Sequence, residues 1–174
     1  MASVAAEVVR GIVTFLYESP FLYLEIYRLM TILESSSALA DYEGTYEGDR
    51  RKVEYLRRTE FPEVSRIVIS LAAIIRAAMD ADPGLYAGDE IELEVERPVG
   101  VLMPDATRPD AWESLEFREA CNKVIHAKRV DPKRTVDTGA LTGELILHGD
   151  YRKKNWQARL ELREFALAAL SLTP

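Results

Sequence analysis

The chain of 174 residues is 48% hydrophobic and 29% charged, enough apolar material to bury a core without disulfide or metal, so a single domain over 1–174 is expected. Its one cysteine, Cys121, excludes an internal disulfide and fits a reducing, cytoplasmic compartment. A formal net charge of -7 argues against broad nonspecific affinity for nucleic acid, which rests on phosphate neutralisation, and leaves RNA contact to local basic patches.

Residues 3 to 18 carry Val4, Val8, Ile12, Phe15 and Leu16 at helical spacing, and Glu7 without a basic leader sets this stretch apart from a secretion signal. Ser19-Pro20 supplies a cap and a first turn for a second helix through "PFLYLEIYRLMTILES". The polar stretch "SSALADYEGTYEGDRRK", with Gly44 and Gly48, predicts a loop. Pro62 is expected to open the most hydrophobic helix, 62 to 80, which stops before Asp82-Pro83-Gly84. Its apolar run "IVISLAAIIRAAM" is broken by Arg76 and falls short of the roughly 20 residues a membrane span needs, so no membrane partner is expected. Arg76 reads as a snorkelling or ion-paired residue, or one that faces another helix.

The pattern then changes. "EIELEVE" alternates Ile91, Leu93 and Val95 with Glu92, Glu94 and Glu96, the period of a half-exposed strand. Asp110 and Glu113 have capping-box spacing, which starts a helix over 110 to 128. "GELILHGD" and "NWQARLEL" predict two strands joined by a turn at Asp150 to Lys154, and "REFALAALSL" returns to helix. The resulting expectation is a mainly α protein with a small antiparallel β element, a hairpin of two or three strands inserted among helices.

The segment "REACNKVIHA" holds the chemistry of most interest. On a helix Arg118, Asn122 and His126 fall within about 80° of one another, beside an apolar arc of Phe117, Ala120, Cys121, Val124 and Ile125. Groups bordering a core are partly desolvated and held by packing, a setting that suits a catalytic group and an ordinary structural hydrogen bond alike. A cysteine nucleophile is excluded, because Cys121 and His126 point about 140° apart. His126 and His148 sit in no ligand-spaced motif, and no glycine-rich loop joins a strand to a helix, so neither a metal nor a nucleotide cofactor is expected. Lys128, Arg129, Lys133 and Arg134 form one basic cluster and Arg152, Lys153 and Lys154 another, each a candidate RNA contact or a solvated turn.

With its preceding helices and following basic residues, "REACNKVIHA" resembles the HEPN-like helical proteins of prokaryotic conflict and RNA-processing systems. Their motif places a histidine a few residues after an arginine that is often followed by a polar residue. Asn122 and His126 match its second half, while Cys121 stands where the family has arginine and Arg118 is the nearest arginine upstream. The resemblance implies a HEPN-like helical bundle, and a metal-independent endoribonuclease of the toxin or phage-defence kind. In it His126 would be acid or base, Arg118 the clamp on phosphorane charge and Asn122 the orienting group. Arg118 and His126 lie roughly 12 Å apart along the axis, so the shared site would need a homodimer with the two helices crossing antiparallel. The alternative is a noncatalytic HEPN-like module that binds RNA or a cognate protein partner.

Overall fold

The computed structural model describes residues 20–43, 50–81 and 94–172. The predicted first helix, 3 to 18, lies outside them. Helix α1, Pro20–Glu43, begins at the proline that Ser19-Pro20 marks, and buries Leu22, Ile26, Leu29 and Leu33 along one line. Helix α2, Arg50–Ala81, packs against it with Val64, Ile67, Val68, Leu71 and Ile75 buried. Among the described residues no helix is long and apolar enough to cross a membrane.

Both helices run further than their hydrophobic periodicity suggests. Residues 36–43 and 50–52 are helical where a loop is predicted, and Gly44 and Gly48 lie outside the described residues. Pro62 lies inside α2 instead of opening it. Two polar residues, Ser36 within that stretch and Glu60 ahead of Pro62, are tertiary anchors. The hydroxyl of the fully buried Ser36 accepts the Leu141 N–H at 2.9 Å, and buried Glu60 accepts Arg134 Nη1 at 2.9 Å. Pro62 forfeits one intrahelical hydrogen bond, and burial of Val53 and Val64 on either side holds the helix across it.

Beyond the helices lie strands β1 (Pro98–Met103) and β2 (Glu113–Glu116), helix α3 (Phe117–His126), strands β3 (Arg129–Arg134), β4 (Leu141–Tyr151) and β5 (Lys154–Glu161), and helix α4 (Leu162–Ser171). The strands form one sheet of five in the order β2-β1-β5-β4-β3, with every neighbouring pair antiparallel. This corrects the expected helical bundle with an inserted hairpin: the protein is α+β, with helices stacked on one face of a substantial sheet. Only β4 and β5 carry the alternation that announces a strand, and their hairpin is where "GELILHGD" and "NWQARLEL" place it. β2 and β3, "ESLE" and "RVDPKR", are too short and polar to be read that way, and β1, "PVGVLM", is a short apolar run without alternation.

Two further expectations are overturned. Glu94 and Val95 are helical, not alternating strand, and 91–93 lie outside the described residues. The helix of the polar stripe starts at Phe117 rather than at 110, because Glu113, Ser114 and Glu116 pair with Leu102, Val101 and Pro98 of β1. It ends at His126, and the chain is extended again from Arg129 to pair with β4. The two edge strands give little purchase to another sheet, since β2 has four residues and β3 contains Pro132.

The core lies between the layers. Leu145 and Leu147 of β4, and Trp156, Ala158 and Leu160 of β5, meet Phe117 and Val124 of α3 and Phe165 and Ala169 of α4 in one apolar cluster with α1 and α2. The alternate positions, Ile146, His148, Gln157 and Arg159, face away from this cluster, and among the described residues no helix packs over them.

Candidate functional site

Helix α3 resolves the polar stripe into separate parts. Asn122 is clamped at both ends of its amide: Arg76 Nε of α2 donates to its Oδ1 at 2.8 Å, and its Nδ2 donates to Glu119 Oε2 at 3.0 Å. Arg76 therefore does face the stripe from another helix, and it also pairs with Asp80. Lys123 Nζ joins Glu119 at 3.0 Å and lies 4.8 Å from the centre of the Trp156 ring. Burial opposes ionisation of Glu119, but hydrogen bonds from Asn122 and Lys123 outweigh it and hold the carboxyl below its usual range. Burial pushes the Cys121 thiol up to about 12, consistent with a core residue.

The other two members of the stripe stand apart from that network. Arg118 is half exposed and its guanidinium comes no nearer than 3.9 Å to Asp80. His126 is exposed at the last residue of α3, and among the described residues it has no hydrogen-bond or ion-pair partner. Among the described residues no group orients its imidazole, so His126 is not held in place as an acid or base.

A second cluster is assembled by the sheet. Lys128 and Arg129 follow α3, and pairing of β3 with β4 sets Arg129 opposite His148, whose carbonyl accepts the Lys128 N–H at 2.8 Å. Pairing of β4 with β5 then sets His148 opposite Gln157 and Asp150 opposite Asn155. These residues, with Lys153, Ala106, Gly149 and Trp156, line an open groove of about 640 Å³ at the β4–β5 turn end of the sheet. Its lining carries three cations against one carboxylate, plus His148. Lys128 is paired with Asp150, Arg129 Nε with Asp131 at 2.7 Å, and His148 Nε2 stands 3.4 Å from the same Asp131. Both paired cations keep about 70% of their side chains exposed (71% and 70%), so they remain open to a ligand.

Of the first basic cluster singled out in sequence, the structure brings Lys128 and Arg129 into this groove and sends the others elsewhere; of the second, Lys153 lines the groove and Lys154 pairs with Asp105 at 3.4 Å. Lys133 pairs with Glu144 at 3.1 Å, and Arg134 turns inward to Glu60 and to the Gly139 carbonyl, at 2.9 and 2.7 Å. His148, Asn155 and Gln157 were not singled out. The alternation in β4 puts His148 on the face opposite Leu145 and Leu147, but its cationic neighbours become visible only once β3 is known to be a strand.

The turn that carries Lys153 is built against local preference. Arg152 and Lys153 have φ of 47° and 68°, in the left-handed region that a two-residue hairpin turn normally fills with Asn-Gly. Side chains with a Cβ pay about 1–2 kcal/mol each for that conformation. Opposite Trp156, in contrast, the register uses a glycine for space: a Cβ on Gly149 would lie 2.2 Å from Trp156 Cζ2.

These features define an α+β protein with a helix-backed antiparallel sheet, an open sheet face and a basic groove at one end of it. The chain matches no family model, no curated protein and no solved structure.

Proposed function

We propose that this protein is a nucleic-acid-binding module that takes RNA phosphates in the groove lined by Lys128, Arg129, His148 and Lys153. The observation that carries the reading is the convergence of three cations and a histidine from separate elements on one open cleft. Lys128 follows the end of α3, Arg129 opens β3, and Lys153 sits on a turn held in left-handed backbone. Asn155 and Gln157 add neutral hydrogen-bonding groups beside the charges.

Binding is favoured over cleavage by the state of the α3 stripe. Asn122 is committed to Arg76 and Glu119, while Arg118 and His126 lack the mutual positioning that general acid–base catalysis requires. Cleavage would need a second copy to bring the two together.

The test is binding of a fluorescent RNA strand measured by anisotropy. Lys128→Ala combined with Lys153→Ala should weaken binding at least tenfold, and should lower the slope of log affinity against log salt by about 1.4, two phosphate contacts at roughly 0.7 each. Wild-type protein that binds no RNA at low salt would overturn the proposal. RNA cut by the wild type and spared by His126→Ala would replace it with the nuclease reading.

A further inference from the structure

We propose that the open face of the sheet continues the groove into a track for single-stranded RNA, on which a splayed base stacks at Trp112 and Arg159. The inference rests on the RNA-binding reading of the groove and names the form of nucleic acid it takes.

The strand register makes the two regions contiguous. His148 and Gln157 are paired across β4 and β5 and line the groove; the next row on the same face pairs Ile146 with Arg159, and Arg159 in turn with Val101 of β1. The guanidinium carbon of Arg159 lies 4.6 Å from the centre of the Trp112 ring, a cation–π stack at the far side of that row. Val101 is 37% exposed and Ile146 is half-buried, so the row sets Arg159 between two apolar side chains, with the Trp112 indole stacked against it. An apolar and aromatic strip that begins at a basic cleft, and over which no helix packs among the described residues, matches the two demands of a single strand: phosphates that seek cations and bases that seek flat surfaces.

Geometry and charge select the single strand. Gln157 and Arg159 are two residues apart on β5, roughly 7 Å, so a strand held in the groove reaches the Trp112 stack within one or two nucleotides. A single strand can turn an unstacked base face onto that row, whereas a duplex keeps its bases paired and stacked and presents only phosphates, 2′-hydroxyls and base edges. The next row ends the track. Glu144 and Glu161 face each other there, and Glu144 has already taken Lys133 as its partner. Their carboxylates repel a continuing phosphate backbone, which confines the track to the groove and the one row beyond it.

The experiment compares one labelled RNA strand of about sixteen nucleotides with the duplex it forms with its complement, using the full chain. The single strand should bind at least tenfold more tightly than the duplex. Trp112→Ala should weaken single-strand binding about tenfold with duplex binding unchanged, and Trp112→Phe should restore most of the loss because it keeps a stacking ring. RNA should quench tryptophan fluorescence in the wild type, since Trp156 is only 3% exposed and the indole in reach is that of Trp112. Equal affinity for strand and duplex, or no quenching at saturating RNA, overturns the track even if Trp112→Ala fails to fold. In that case a loss of binding in the Lys128 and Lys153 double variant leaves the groove reading standing. Absence of any RNA binding removes both.

Discussion

Asn122 and His126 are one helical turn apart and have opposite fates, which shows how little the identity of a polar residue says about its role. Asn122 sits where α3 meets α2, and its amide satisfies Arg76 and Glu119 in a half-buried seam. Asn122→Ala should cost about 1–3 kcal/mol in urea unfolding, since both bonds are to charged groups and Arg76 keeps only 22% of its side chain exposed. His126→Ala, at an exposed helix end, should fall within about 0.5 kcal/mol of the wild type. Equal losses would mean that the packing between α2 and α3 does not depend on the Asn122 tie. The alignment of the three stripe residues was legible from spacing alone, and so was the burial of Cys121. The carboxylate and guanidinium that decide the role of Asn122 were not, because Arg76 lies 46 residues away in sequence.

At the scale of elements, the β4–β5 hairpin carries two opposed compromises. Its turn holds two cations in left-handed backbone. Lys153→Gly should raise unfolding free energy by about 1 kcal/mol by relieving that strain, while RNA affinity falls. A variant that gained stability and kept full affinity would separate the turn from the groove. At the other end of the hairpin, Glu161 is held above the ordinary carboxylate range, first by desolvation and then by Glu144 across the strand pair. The folded chain thus binds that proton more tightly than the unfolded chain. Stability is lost as pH rises from about 4.5 through the raised folded value, and the penalty is complete above it. Glu161→Gln should therefore raise the melting temperature at pH 7 and leave it nearly unchanged at pH 4. The gain should be modest, because water screens this exposed strand end. A larger gain at pH 4 than at pH 7 would contradict the assignment.

Across the whole molecule, α3 couples the two layers. Phe117 is fully buried, follows directly from β2, and packs against Phe165 of α4 with ring centres 5.1 Å apart. Phe117→Ala should cost about 3–5 kcal/mol, and helix and tertiary signals should be lost together on heating, because one apolar cluster spans both layers. Separate transitions would show that α1 and α2 hold together without the sheet.

By itself the sequence determined those elements whose side chains repeat with the period of their own backbone: the start of α1, the hydrophobic centre of α2, the β4–β5 hairpin and the closing helix α4. Burial of one face imposes that period, so it is written locally. Only the tertiary structure decided that "ESLE" and "RVDPKR" are strands, that Ser36 and Glu60 lie inside helices, and that Lys128 and Arg129 meet His148 and Lys153. Those residues are held by partners in other elements: β1 for β2, β4 for β3, the Leu141 amide for Ser36 and Arg134 for Glu60. A short polar strand is stabilised by the ladder it joins rather than by its own residues, and a groove built from three strands exists only after their register is set.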